Sequence, residues 1–192
     1  MSYKKVKNDV INSKSILLKK PNAIPEIEHI EEIEEIEEIE IKKLSNNSFT
    51  HIIHLSDLHI RPNDRHNEYK HVFEKLYDSI NKIKKSGIKA IIIITGDIFD
   101  NVNRFLPEQY ELCNDLFTTL SSIYPLLIIN GNHDMKDVSR LDSITPSAYE
   151  RPNFYYLLKS GAYEYGNVVF SLTSLYDNHP FITRNQIKTN KT

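Results

Sequence analysis

The sequence predicts an α/β fold in which a mostly parallel sheet packs against flanking helices. Short apolar runs that suit strands alternate with amphipathic helical patterns between residues 51 and 130. The central run, residues 88–95, is rich in isoleucine, and β-branched runs of this kind are typical of a parallel strand covered on both faces. Alternation of strands and helices indicates βαβ units, which place their strands side by side in one sheet.

Each element follows from its residue pattern. Residues 51–55 form a short buried strand, and the next segment carries apolar residues at helical spacing until Gly87, which ends the helix. A second helix has Pro107 in its first turn, and residues 125–130 form the third strand. Short strands follow at 154–158, 163–165 and 168–171, the last two joined by a Gly166–Asn167 turn.

Length and composition exclude several classes of protein. The chain has 192 residues, of which 40% are hydrophobic and 26% charged, so it is not a fully disordered, collagen-like or membrane chain. Its longest apolar run, 90–94, is too short to span a bilayer. Cys113 is the single cysteine, which excludes an internal disulfide framework, and no apolar signal core follows the basic start. We therefore expect a cytoplasmic or nuclear-type reducing compartment, no secretion and no membrane partner.

The N-terminal region differs from the rest of the chain in charge and complexity. Residues 1–20 hold six Lys and one Asp, whereas residues 26–40 hold nine Glu, with Ile at every third position. A step of three residues moves the Ile row around a helix of 3.6 residues per turn, so no fixed apolar face forms. Because the polar cluster 45–48 follows, we predict a disordered low-complexity tail at 1–48 and a single domain at 49–192.

Polar clusters follow each of the three predicted strands. Asp57 and His59 come after the first strand, Asp97 and Asp100 after the second, and Gly-Asn-His-Asp at 131–134 after the third. The carboxyl ends of parallel strands line one crevice, so these side chains are expected to converge. Singly each cluster is a weak signal, because Gly-Asp after a strand is commonly a turn or a helix cap. All three together, in this order, indicate a functional site.

The residue types in these clusters suit a metal site. Two residues apart in extended chain, Asp57 and His59 can point to the same side and offer one oxygen and one nitrogen to a first ion. The carboxylate of Asp97 can bridge two ions, and the side-chain carbonyl of Asn132 offers an oxygen to the second. Oxygen and nitrogen ligands without thiolate suit Mn, Fe or Zn better than Ca.

These clusters resemble the motifs of the calcineurin-like metallophosphoesterases, which read D-x-H, then G-D-x-x-D, then G-N-H followed by Asp or Glu. The likeness covers residues 50–176. The wordings HLSDLHI, GDIFDN and INGNHD are most similar to the DNA-repair exonuclease branch, the SbcD-type nuclease subunits. Ser/Thr protein phosphatases differ, since Arg-Gly usually follows their second motif and Glu ends their third. The resemblance implies a layered αββα sandwich.

The resemblance also implies a dinuclear metal site. Asp57 and His59 would bind the first divalent ion, Asp97 would bridge both ions, and Asn132 would bind the second. Mn²⁺ is the most favoured ion, with Fe or Zn as alternatives.

The chemistry implied is hydrolysis of a phosphate ester by metal-activated hydroxide attack on phosphorus. His133 would stabilise the transition state or protonate the leaving oxygen, and Asp100 would hold its ring. For Asp100 and Asp134, capping of a helix or turn is the alternative role. We therefore expect a DNA exonuclease or related phosphodiesterase of DNA repair, with nucleic acid as substrate and, by resemblance, an ATPase partner subunit.

Basic and imidazole side chains near these clusters are further candidates. Arg61, Arg65 and Arg104 follow the first and second clusters, where they could contact DNA phosphates, although exposed ion pairs are the alternative. His51 and His54 lie on the first strand and are expected to be structural rather than ligands.

The sequence departs from the resembled pattern after the third cluster. That pattern continues with an isolated His and a Gly-His-x-His, which supply three more metal ligands. Of the eight His in this chain, only His179 follows His133, and we expect it to be a loop residue. We therefore expect the first part of a longer domain, truncated at its C-terminus, with one weakly bound ion and little or no activity. The alternative function is a non-catalytic remnant or binding module that keeps the fold.

Overall fold

The computed structural model describes residues 38–62, 65–100, 106–134, 151–177 and 181–188. Arg104, His179 and the predicted tail up to residue 37 lie outside these residues. The described helices are α1 (His66–Lys85), α2 (Pro107–Ile123) and a single 3₁₀ turn, Arg184–Gln186. The described strands are β1 (Ile41–Ser45), β2 (His51–Leu55), β3 (Ala90–Thr95), β4 (Leu126–Ile129), β5 (Phe154–Tyr156), β6 (Gly161–Tyr165) and β7 (Val168–Leu172).

The strands form two sheets. One has the order β2-β3-β4-β5 and is parallel throughout, and the other has the order β1-β6-β7, with β1 parallel to β6 and β6 antiparallel to β7. The predicted α/β class, with a parallel sheet and flanking helices, is confirmed. The predicted hairpin is also found, with Gly166 at a φ of 57° in its two-residue turn.

The four-stranded sheet is covered on both faces, which explains why β3 is apolar from Ala90 to Ile94. Ile92 and Ile94 are completely buried in the cluster that contains Leu116 and Leu120 of α2. Their neighbour Ile91 points to the opposite face and packs with residues of the three-stranded sheet. The described residues therefore form three layers, with helices, the parallel sheet and the smaller sheet in that order.

Helix ends follow the predicted signals. Gly87 lies just beyond α1 at a φ of 81°, and its N–H donates to the carbonyl of Lys84 at 3.0 Å. Pro107 begins α2, and the Gln109 side chain accepts a hydrogen bond from the backbone N–H of Leu106 at 3.1 Å. Neither α1 nor α2 combines the length and apolar composition that a membrane-spanning helix needs.

The boundary predicted at residue 48 lies too far along the chain. β1 is part of a sheet, because Ile41 pairs with Ala162 and Lys42 with Tyr163 of β6. The polar cluster 45–48 is thus the connection between β1 and β2 and not a linker to a tail. Polar residues suit either role, so their composition alone did not distinguish a tight connection from a boundary.

Candidate metal centre

The loops after β2 and β3 run side by side and fix the position of the first two polar clusters. Backbone hydrogen bonds join them in register, from the N–H groups of the first loop to the carbonyls of the second. The pairs are Asp57 to Gly96 at 3.2 Å, His59 to Asp97 at 2.9 Å and Ile60 to Ile98 at 2.8 Å. The predicted convergence of these two clusters therefore rests on a ladder that continues beyond the strands themselves.

The candidate ligands have an unusual backbone conformation. Asp57, His59 and Asp97 have φ values of 57°, 44° and 51°, in the left-handed region. The expectation that Asp57 and His59 are two residues apart in extended chain is therefore wrong. Left-handed backbone costs about 1–2 kcal/mol per non-glycine residue, although Asp and His tolerate it better than most. The ladder between the two loops stabilises this conformation.

Asp57, His59 and Asp97 nevertheless meet. One ligand atom from each lies within 4.8 Å of the others, and His59 Nε2 is 3.9 Å from Asp57 Oδ1. Two carboxylates and one imidazole form a donor set that suits a divalent transition metal. In addition, His59 Nδ1 is buried without a hydrogen-bond partner, so the ring is not committed to a structural bond through that nitrogen. These residues fit a metal ion.

The loop after β4, residues 131–134 and here called the third loop, packs directly against the side chain of Asp97. Its carboxylate oxygen Oδ1 accepts a hydrogen bond from the backbone N–H of His133 at 3.0 Å. A Cβ on Gly131 would lie 2.1 Å from the same oxygen, and a Cβ on Gly96 would lie 2.1 Å from the nitrogen of Gly131. Both glycines are thus required by the close approach of the loops. Asn132 is exposed and stands between Gly131 and His133, which both contact Asp97, and its role as a ligand stays a prediction.

Asp134 is a structural anchor of the site. It is 1% exposed, and its carboxylate accepts hydrogen bonds from the backbone N–H groups of Ile98 at 2.9 Å, Phe99 at 3.1 Å and Gly131 at 2.9 Å. Burial raises the pKa of Asp134, while these three hydrogen bonds act to lower it. The capping role considered for this residue matches these contacts, and the carboxylate joins the second and third loops.

His133 has a defined tautomer. Its Nδ1 lies 3.0 Å from the backbone carbonyl of Asp100, and a carbonyl only accepts, so Nδ1 carries the proton and Nε2 is left for chemistry. That hydrogen bond is the main cause of a raised pKa for His133, and the charges of Asp97, Asp100 and Asp134 add to it. The ring stands edge-on to that of His59, with centroids 4.8 Å apart.

Asp100 holds the His133 ring through its main chain. Asp100 was expected to hold this ring. The contact that the structure shows is made by its backbone carbonyl oxygen and not by its carboxylate. Its carboxylate Oδ1 instead lies 3.7 Å from Arg61 Nε and 3.9 Å from His59 Nδ1. The carboxylate is therefore placed between the metal cluster and a partly exposed arginine.

The predicted arginines differ in their surroundings. Arg61 stays beside the cluster through Asp100, whereas Arg65 is paired with Glu68, with Nε 2.7 Å from Oε2. This hydrogen bond raises the pKa of Arg65 and lowers that of Glu68. Arg65 matches the alternative of an exposed ion pair, while Arg61 remains a candidate phosphate contact.

Two residues behind the first loop were not singled out from the sequence. Gln109 is completely buried, and its Nε2 donates to the carbonyl of Ile60 at 2.8 Å. Tyr69 donates to the carbonyl of His59 at 2.5 Å. The residue before Pro107 is leucine rather than Ser or Thr, so the capping-box signature is absent from the sequence and no local signal marks Gln109.

The two strand histidines lie apart from the metal cluster. His54 Nε2 is 2.8 Å from Thr95 Oγ1, and His51 Nδ1 is 2.9 Å from Thr50 Oγ1. Each ring therefore contacts the hydroxyl group of a threonine.

The part of the chain that carries these residues is similar in sequence to known proteins. Residues 50–189 match the sequence family described as calcineurin-like phosphoesterase, a range that contains every candidate ligand. An uncharacterized protein of Acanthamoeba polyphaga mimivirus, R555, is 40% identical over 141 residues. That match covers 69% of this chain and 10% of R555, so the chain spans about a tenth of the length of this relative.

Proposed function

Because this chain belongs to the calcineurin-like phosphoesterase family, we propose that it is a metal-dependent phosphoesterase that acts on phosphodiesters of nucleic acid. The observation that carries the proposal is the meeting of Asp57, His59 and Asp97, whose ligand atoms lie within 4.8 Å of one another. Asp57, His59 and Asp97 would hold the first ion, and Asp97 and Asn132 the second. Mn²⁺ is the proposed ion, since it accepts both carboxylate and imidazole ligands.

When bound, divalent ions supply Lewis acidity, which neutralises phosphate charge and makes hydroxide available at neutral pH for attack on phosphorus. The protein supplies the remaining groups. His133 holds a proton on Nε2 in its charged form and delivers it to the leaving oxygen, because Nδ1 is already committed to Asp100. Arg61 binds a phosphate oxygen, and the Asp100 carboxylate at 3.7 Å limits where its guanidinium can lie.

The finer proposal is a DNA exonuclease of the DNA-repair type. It is supported by the wording of the three motifs, HLSDLHI, GDIFDN and INGNHD, which are most similar to that branch. An ATPase partner subunit belongs to the same proposal and rests on the same resemblance. Linear DNA, closed circular DNA and RNA are the substrates whose comparison tests it.

A non-catalytic binding module is the second candidate. The observation that favours it is the small ligand set, since within the described part of the chain Asp97 and Asn132 are the residues proposed for the second ion. Two protein ligands hold an ion weakly, and hydroxide is poorly oriented when one ion is missing. Such a module would bind a metal ion or a phosphate group without turnover.

The test combines metal binding and hydrolysis with the polypeptide of residues 1–192. Calorimetric titration with Mn²⁺ should show one weakly bound ion, and Asp97→Ala should abolish it. The matched control is Asp115→Ala, which removes an exposed carboxylate of α2 outside the cluster. Hydrolysis of bis-p-nitrophenyl phosphate and of linear DNA is expected to be weak.

The outcomes separate the candidates. Turnover that Asp97→Ala abolishes and Asp115→Ala preserves supports the enzyme. Metal binding with the same variant pattern but no turnover supports the binding module. Metal binding that Asp97→Ala leaves unchanged contradicts both.

A further inference from the structure

The side chain of Asn130 links three segments next to the candidate metal centre. It stands directly before the loop 131–134 and is half-buried at the end of β4. Its carbonyl oxygen accepts a hydrogen bond from the hydroxyl of Tyr156 on β5. Its amide nitrogen lies 2.9 Å from the hydroxyl of Tyr176, which follows β7 of the other sheet.

The direction of each hydrogen bond can be assigned. The hydroxyl of Tyr176 lies 3.3 Å from the backbone carbonyl of Asp134, and a carbonyl only accepts, so the single hydroxyl proton of Tyr176 points there. Its oxygen must then accept from the amide of Asn130. That fixes the carbonyl of Asn130 toward Tyr156, whose hydroxyl donates to it. The opposite amide orientation would require the Tyr176 proton for Asn130 and would leave the Asp134 carbonyl without it.

These contacts close a ring around the third loop. Asn130 precedes the loop, Asp134 ends it, and the one hydroxyl of Tyr176 holds both. Inside the ring lie Asn132 and His133, the proposed second-ion ligand and proton donor. The Asp134 carboxylate already fixes the loop to the second cluster, so the contact from Tyr176 adds a restraint from the opposite sheet.

We propose that Tyr176, acting through Asn130 and the Asp134 carbonyl, is a positioning residue that holds the loop 131–134 in the geometry required for metal binding and proton transfer. This inference rests on the proposed function of that loop. Burial raises the pKa of Tyr176 to about 12, so its hydroxyl keeps its proton under ordinary conditions. The ordering itself is a property of the protein without metal, and it can be measured separately.

Tyr156 provides a matched control. Both tyrosines are half-buried and both bond to the side chain of Asn130, so Tyr156→Phe and Tyr176→Phe each remove one hydroxyl and one bond to the same amide. Only Tyr176→Phe also removes the bond to Asp134. A general loss of packing should therefore affect both variants equally, whereas the positioning role should appear only in the second.

The experiment measures amide hydrogen exchange by NMR in the metal-free polypeptide of residues 1–192. Tyr176→Phe should speed exchange of the amides of Gly131 and His133 by about two- to tenfold, the range expected when the hydrogen bond to the Asp134 carbonyl is lost. Tyr156→Phe should change these rates by less than half as much. Core amides of α1, such as those of Phe73 and Ile80, report global stability and should change equally in both variants.

Mn²⁺ affinity is measured on the same samples and should fall several-fold in Tyr176→Phe only. Equal exchange of the loop amides in both variants, or no change in either, overturns the inference whether or not metal binds. If the wild-type protein binds no metal while the loop amides respond as expected, the proposed function fails and the positioning contact stands. Asn130→Ala removes the amide that donates to Tyr176 and so tests the same restraint with a second variant. It should also speed hydrogen exchange of the amides of Gly131 and His133.

Discussion

The carboxylate of Asp134 accepts a hydrogen bond from the backbone N–H of Ile98 at 2.9 Å, which ties the third polar cluster to the second. These two residues are 36 positions apart in sequence and both are almost completely buried. Asp97 directly precedes Ile98 in the second loop, so the position of this candidate bridging ligand depends on the anchoring carboxylate of Asp134.

Removing this anchor should destabilise the protein. Asp134→Ala removes the carboxylate that accepts hydrogen bonds from the N–H groups of Ile98, Phe99 and Gly131, so we expect a loss of about 3 kcal/mol in the free energy of unfolding. Urea unfolding monitored by circular dichroism gives the value. Asp115→Ala, an exposed aspartate of α2, should change it by less than about 0.5 kcal/mol. Equal losses in the two variants would contradict the anchoring role.

A side chain at Gly131 should displace Asp97. Gly131→Ala places a Cβ 2.1 Å from Asp97 Oδ1 and 2.5 Å from Asp97 N, and the backbone atom cannot move aside cheaply. We expect Mn²⁺ affinity to fall at least tenfold, with a stability loss of about 2 kcal/mol.

The control for that variant is Gly87→Ala. Gly87 has a φ of 81°, and no atom lies within 4 Å of the position that a Cβ would take, so alanine there should cost about 1 kcal/mol through backbone strain alone. Calorimetric titration of Gly87→Ala with Mn²⁺ should give the wild-type affinity. An unchanged affinity in Gly131→Ala would show that the loop relaxes without moving Asp97.

His133 should matter for turnover more than for metal binding. Its Nδ1 is committed to the Asp100 carbonyl and its role is proton delivery, so His133→Asn should keep Mn²⁺ affinity within about threefold. Hydrolysis of bis-p-nitrophenyl phosphate should fall by ~10²-fold or more, as expected for loss of a general acid. Both quantities are measured on one preparation, and a parallel loss of metal would identify His133 as a ligand.

Alkaline pH should weaken the fold through buried tyrosines. Burial raises the pKa of Tyr176 to about 12 and that of Tyr156 further, whereas both titrate near 10 in an unfolded chain. Between pH 10 and 12 the unfolded chain therefore loses protons that the folded chain keeps, so the contribution of these two hydroxyls to stability is constant below pH 9 and falls as pH rises above 10.

Urea unfolding at pH 8, 9, 10 and 11 measures this dependence. The double variant Tyr156→Phe, Tyr176→Phe should show a shallower fall above pH 10 than the wild type, because two of the contributing groups are gone. An unchanged slope would show that these hydroxyls ionise as they do in water.

Much of the site could be predicted from the sequence. Apolar runs followed by Asp57, Asp97 and Asn132 indicated parallel strands whose carboxyl ends meet. The side chains of Asp57, His59 and Asp97 do converge. Gly96 and Gly131 each adjoin a candidate ligand, and the loops pass so closely there that a Cβ would overlap backbone atoms. These features are predictable because strand periodicity and glycine placement are local properties of the chain.

Other features depended on the packing of segments far apart in sequence. The sequence by itself determined the α/β class, the helix ends and the choice of candidate ligands, because each follows from neighbouring residues. Only the tertiary structure decided that Ile41–Ser45 joins a sheet, that Asp57 and His59 are left-handed, and that Asp100 uses its carbonyl. Tyr176 and Asp134 are 42 positions apart and lie beyond strands of different sheets. Contacts of this kind depend on how the two sheets stack, and no local pattern records that geometry.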